Sequence, residues 1–492
     1  MASNPDAILS LSDTRHLLRR TGFGASPKDV DKILNKFPSR GEAADWLLKF
    51  KPSRFKPRGK DFDRVHDNWI KFMLRFRHPI QEKLVLFWHD HFATGNDKVD
   101  NPKLMANQNQ LLRKHAKGNF KELVKTINTD AAMMEYLDTV RNRKNQPNEN
   151  YGRELQELFT LGVMDFNGQC NYDQADIVQV SRAFSGWTFD DKGVAEFNSN
   201  KHDFTKDFPE RGPKVIYTAH GGFGSAGRDY TQPAGEGPAE IDQVIDIIFE
   251  HKDTNGKNTV ARHITKKLFT YIANAEPTTN LVDALVAESA FDTSWDIAAL
   301  VRAILINDGF YDTAAPAPFD TTTKKSVKWP IDYVISTLRQ LGMRLKGREQ
   351  YINFSSGTPA RDYLSNMGQL LLVPPSVFGW DWETSWISSS TLLSRYDFAA
   401  DVIAARGKGR TAFRPERLID LTLTDAGAIV DAVTDVLGIT DQLVTSERDV
   451  LIDYLTDGNP TAPVNLLDDG FRDLKLNGLF GLVLQSPAYQ LH

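Results

Sequence analysis

The sequence predicts a mainly all-α fold: one large multi-helix domain with an irregular, partly β insertion and a C-terminal helical extension. Three observations carry that reading. Apolar residues recur at helical spacing through most of the chain, cap residues bracket those runs, and one long stretch, 186–238, breaks the pattern. In order, "SLSDTRHLLRR" opens on Ser and Asp cap candidates and stops at Gly22. In "ASPKDVDKILNKF", Ser26 caps and Pro27 takes the first helical position, where a missing N–H costs nothing. Helical runs follow near 41–49, 63–77, 79–93, 103–117, 119–127, 129–138, 148–161 and 172–185. After the interruption come 239–251, 256–273, 279–290, 295–307, 326–341, 359–370, 388–405, 425–438, 443–456 and 465–486. Residues 186–238 are rich in Gly, Pro and Asp, with β-like pieces such as "KVIYTA"; long loops of this kind often carry function. A second irregular zone, 371–388, reads "LLVPPSVFGWDWETSWIS". The expected division is a large domain over 1–410 and an acidic helical subdomain over 411–492, which holds 13 Asp+Glu against 5 Lys+Arg.

A chain of 492 residues, 41% hydrophobic and 25% charged, can bury a core without covalent staples. Its net charge of −5 is uneven: residues 1–150 hold 28 Lys+Arg against 18 Asp+Glu, the remainder 31 against 46. The basic side chains are scattered rather than blocked, so nucleic acid is not an expected partner. No run approaches the ~18 apolar residues of a membrane span. "MASNPDAILSLSD" lacks the apolar run of a signal peptide. The one cysteine, Cys170, allows neither an intrachain disulfide nor a thiolate metal cluster.

The stretch "NENYGRELQELFTLG", 148–162, carries the densest chemistry. With Asn148 at the N-cap and Gly162 past the end, Tyr151, Leu155, Leu158 and Phe159 form an apolar stripe. Asn150, Glu154 and Glu157 share the flank beside it, and Glu149 can pair with Arg153 one turn on. Glu154 and Glu157, roughly 5–6 Å apart at Cβ, have no local partner. Partly buried, such acids raise each other's pKa or recruit a cation; the plainer alternative is a helix flank paired with distant arginines. In "HPIQEKLVLFWHDHFATG", His91 continues the stripe of Ile80, Leu84, Phe87 and Trp88, while His89 points nearly opposite. A buried imidazole needs a partner, and Glu154 could serve; a structural histidine is the alternative. Trp187, Trp380, Trp382 and Trp386 lie in loops near Asp381, Glu383 and Arg395, where they either line a sugar-binding cleft or plug the core. "GGFGSAG", 221–227, fits a G-x-G-x-x-G pattern, but "RDYTQPAGEGP" follows where the phosphate-binding helix should be, so dinucleotide binding is rejected.

The blocks "RRTGFGAS", "FWHDHFATG", "DAAMMEYLD", "NENYGRELQELFTLG", "YDQADIVQVSRAFSGWTF", "PPSVFGWDWETSWIS" and "LFGLVLQSPAYQLH" stand in the order of a bacterial family that the chain resembles, domain of unknown function 1800. The resemblance runs from about residue 12 to the end. It implies a mostly helical protein, often exported or periplasmic, and often encoded beside another family that resembles sulfatases and phosphatases. It supplies no catalytic residues, and no cofactor is implied.

Three functions are expected in order. The first is a hydrolase-type enzyme acting on a glycan or similar polar polymer. Glu154 and Glu157 would be its acid and base, His91 and Arg153 would orient groups, and Asn150, Trp187, Trp380 and Trp382 would hold substrate. The second is a metal site from His91, Glu154 and Glu157, with His89 or His263 from elsewhere. The third is a non-catalytic scaffold for a co-encoded hydrolase-like partner.

Overall fold

Helix starts follow from side-chain capping. Ser10 and Ser39 form capping boxes with Asp13 and Glu42, opening the helices Leu11–Thr21 and Arg40–Leu48. Ser26 caps Pro27–Lys36 with the proline at its first turn. Asn101, Asn119, Asp130, Asp173, Thr278, Asp296 and Ser388 do the same for later helices. The computed structural model describes residues 2–57, 61–75, 78–204, 214–217, 228–229, 237–273, 276–312, 326–343, 358–405, 412–459 and 461–492.

The result is mainly α-helical, as expected, and every helical run read from the sequence contains a helix. Strands among the described residues are short and lie in the expected insertion. Trp187–Phe189 pairs antiparallel with Ala195–Phe197, and Val215–Ile216 with Arg228–Asp229. The insertion is anchored from below by a sealed polar network. Lys214 Nζ donates to both Glu240 carboxylate oxygens at 2.6 and 2.8 Å, and His202 lies 3.4 Å from the same carboxylate. His202 Nδ1 also meets the Ser185 carbonyl at 2.8 Å. Gly186, at φ +85°, must stay glycine, because a Cβ there would sit 2.7 Å from the Asn198 carbonyl oxygen. The 221–227 glycine run lies outside the described residues.

The helix Pro79–His91 is buried on every face from Ile80 onward, so its six polar residues Gln81, Glu82, Lys83, His89, Asp90 and His91 all lie inside. Buried polar groups must be bonded, and most of these reach a different segment. Glu82 pairs with Arg113 and accepts from the Trp69 indole at 3.1 Å. Lys83 meets Asp332 at 2.6 Å. His89 Nε2 accepts the Leu372 N–H at 3.2 Å, Asp90 accepts the Trp380 N–H at 2.8 Å, and His91 Nε2 meets the Phe159 carbonyl at 3.1 Å. This helix is the organising axis of the molecule.

The C-terminal helices pack on the rest through specific bonds. Arg19 binds Asp441 with two 3.0 Å hydrogen bonds and the Gly438 carbonyl with a third at 2.9 Å. Gln340 donates to the Leu437 carbonyl at 2.7 Å. The run read as one helix over 465–486 divides into Asp469–Phe471, a π-helical turn Arg472–Leu476 and Asn477–Gln485. Among the described residues no helix is long and apolar enough to cross a membrane.

Candidate functional site

The acidic helix is shorter than the sequence suggested. It runs Asn150–Glu157 with Glu149 at the N-cap. Asn148 does not cap it; its side-chain oxygen accepts the Asn150 N–H at 3.0 Å in a tight turn just before the helix. At the other end the Leu161 and Gly162 N–H groups both return to the Gln156 carbonyl, at 2.9 and 3.1 Å. Tyr151, Gly152, Leu155 and Gln156 are the buried face. Glu149 and Arg153 meet at 3.6 Å as expected, and Gln174 bonds both. Asn150 is exposed, with its amide 3.4 Å from Asp138.

Glu154 and Glu157 are half-buried, and neither forms an ion pair among the described residues. Glu157 accepts the Tyr172 hydroxyl at 3.1 Å. Burial, and then the negative charge of Glu157, push the Glu154 carboxyl up to about 7, against the pull of Arg153. The charges of Asp97 and Glu154 act together on the Tyr136 phenol, which burial already raises. The arrangement is therefore a carboxyl that holds its proton near neutral pH, beside a second carboxylate braced by a phenol.

His91 is not part of it. Its ring lies in an aromatic nest of Phe87, Trp88, Phe92, Phe120 and Phe159, and is 3% exposed. Its partner is a backbone carbonyl, Phe159, rather than the Glu154 side chain. His263 bonds the neighbouring Leu158 carbonyl. A helix end leaves such carbonyls without intrahelical partners, so the two imidazoles close the end of the helix that carries the acids. Burial holds both rings neutral, His263 at about 3 and His91 well below its usual range. No group of three or more His, Cys, Asp or Glu side chains among the described residues is placed to hold a metal ion.

The loop tryptophans divide. Trp380 is 3% exposed and packs edge-on to His89 at 5.4 Å. Trp382 is half-buried against Tyr271 and Trp329, at 5.8 and 5.5 Å, and its indole donates to Asp90. Both brace the core rather than offering an open face to a sugar. Trp187 is half-buried on the hairpin against Phe197 at 5.4 Å.

Two groups escaped the sequence reading. Asp90, 6% exposed, accepts from the Trp380 N–H and the Trp382 indole; burial nevertheless pushes it up to about 7, with Lys267 pulling it back. Lys267 lies one turn after His263 on the helix Thr259–Ala273, and its amine is lowered by burial, with Asp90 opposing. The available signal was a carboxylate between two histidines on a helix otherwise crowded with apolar residues.

No curated protein and no solved structure matches the chain. A family model described as "Protein of unknown function (DUF1800)" matches residues 16–491. That match spans the capped N-terminal helices, the acidic helix, both tryptophan loops and the C-terminal helices alike, and so the chain belongs to the DUF1800 family.

Proposed function

We propose that the protein is a hydrolase-type enzyme acting on a glycan or similar polar polymer, with Glu154 as general acid and Glu157 as its partner carboxylate. The observation that carries this is the Glu154 carboxyl, pushed up to about 7 by burial and Glu157 against the pull of Arg153, while half-open to solvent and without an ion pair among the described residues. A catalytic acid works best when its pKa lies near the working pH. Glu157 would assist water or stabilise positive charge developing on the substrate, held in register by Tyr172. Arg153 and Asn150 border the pair and suit polar recognition of substrate hydroxyls. In this reading His91 closes the end of the helix that bears the pair, and Trp380 and Trp382 pack against His89, Tyr271 and Trp329 rather than on the substrate.

The test is release of reducing ends from a panel of polysaccharides by the wild-type protein and by Glu154→Gln and Glu157→Gln. Each substitution should cut turnover by about 10²–10⁴ with folding unchanged. Full activity in both variants on a substrate the wild type cleaves would refute the assignment.

A further inference from the structure

Part of the basic excess of residues 1–150 is concentrated in residues 46–57, "WLLKFKPSRFKP", which hold four Lys+Arg and no Asp or Glu. From Lys49 onward this stretch is an irregular strap that follows the helix Arg40–Leu48. Its side chains sort by sign and polarity. Lys49, Lys51, Arg54 and Lys56 are exposed, while Phe50 and Phe55 between them are 5% and 4% exposed. The inward side is pinned. The Ser53 N–H donates to Gln81 at 3.4 Å, Gln110 donates to the Ser53 carbonyl at 3.4 Å, and the Phe55 N–H donates to Gln110. Phe55 meets Phe72 edge-on at 6.0 Å, and the Lys117 amine lies 4.5 Å over the Phe50 ring.

The outward charges are not cancelled by the protein. Among the described residues none of the four forms an ion pair. Glu82, beneath the strap, is buried and already bound to Arg113, which itself reaches the Ser53 hydroxyl at 3.4 Å. Lys114, one turn beyond Gln110 on the helix Pro102–His115, adds another exposed cation. Seven chain steps separate Lys49 from Lys56, so the strap charges lie within about 25 Å of one another. Basic clusters of this length take up polyanions, whose acid groups replace the loosely held counterions.

The strap also discriminates among polyanions. Single-stranded nucleic acid needs aromatic faces for its bases, and both rings of the strap are buried. A membrane surface is held by apolar side chains inserted beside the cations, and the strap exposes no Leu, Ile, Phe or Trp. A linear acidic glycan needs neither, because its charged groups stand on a hydroxyl-rich chain and are met singly by compact cations such as lysine. We propose that the strap 49–56, with Lys114, binds a linear anionic polysaccharide bearing carboxylate or sulfate groups. This narrows the polymer of the proposed enzyme to an acidic one and rests on that reading for cleavage alone; binding is measured without turnover.

The experiment is fluorescence anisotropy of labelled heparin with the intact chain in about 50 mM salt, with uncharged dextran beside it. The wild type should bind heparin and not dextran, and its affinity should fall steeply as salt rises. Lys51→Ala, Arg54→Ala and Lys56→Ala combined should weaken binding at least ~10-fold. Lys192→Ala, Lys252→Ala and Lys257→Ala combined remove the same charge from exposed sites elsewhere, and should change it by less than ~2-fold. The two readings fail separately: an inactive protein that binds heparin removes only the enzyme, and an active one that ignores heparin removes only the strap's role. Equal losses in the two triple variants, no heparin binding by the wild type, or tighter binding of single-stranded DNA or phosphatidylglycerol vesicles than of heparin would each overturn the proposal.

Discussion

Replacing Asp90 by Asn should change how stability depends on pH, and the size of the change follows from the structure. The Asp90 carboxyl is raised from 3.8 to about 7, chiefly by burial. A group that binds its proton more tightly when folded favours the native state fully below its unfolded pKa and loses that advantage as pH rises towards its folded pKa. Each pKa unit corresponds to about 1.4 kcal/mol, so the full span is roughly 4 kcal/mol, of which about 2–3 kcal/mol falls between pH 5 and 8. Asparagine retains an oxygen for the Trp380 N–H and does not titrate. Urea unfolding of both proteins at pH 5 and pH 8 should therefore show the difference between them moving in the variant's favour by about 2–3 kcal/mol as pH rises. Glu154 and Asp130, raised to about 7 and about 6, tilt both proteins the same way and cancel in the difference. Parallel pH profiles for wild type and variant would show that Asp90 is not a buried, proton-holding group and would refute the reasoning.

Two further outcomes concern the scaffold. His91→Phe keeps the aromatic packing but strands the Phe159 carbonyl, and should cost about 1–3 kcal/mol in urea unfolding; an unchanged midpoint would show that the imidazole is not closing the helix end. Arg113→Met leaves the Glu82 carboxyl group fully buried without its ion-pair partner, and should cost roughly 3–5 kcal/mol, most of it recovered in the double variant with Glu82→Leu. A double variant no more stable than the single would count against a desolvated pair.

Local chemistry made much of this fold legible. Ser26 before Pro27, and the spaced apolar residues after Ser10, mark helix starts because capping depends on neighbours in sequence. The Glu149–Arg153 pair and the Glu154–Glu157 flank were legible for the same reason. Asn148 misled because the side chain that caps a helix can equally bond its own backbone two residues on. His91 was correctly placed on the buried stripe, but its partner is a carbonyl at a chain reversal, which leaves no mark in residue identity. His89 was expected to face away from the core and is 1% exposed, because a helix surrounded on all sides has no outward face. The meeting of Asp90 with the Trp380 N–H depends wholly on tertiary packing, and spacing along the chain cannot reveal it.

Successive side chains on a helix fan out by about 100°. His89, Asp90 and His91 therefore spread over about 200°, a little more than half a turn, and each engages a separate stretch: Leu372, Trp380 and Phe159. Deleting one residue anywhere between Ile80 and Trp88 would turn all three like a key cut one notch out of phase. Loops elsewhere can lengthen or shorten, but the spacing inside this segment has no slack.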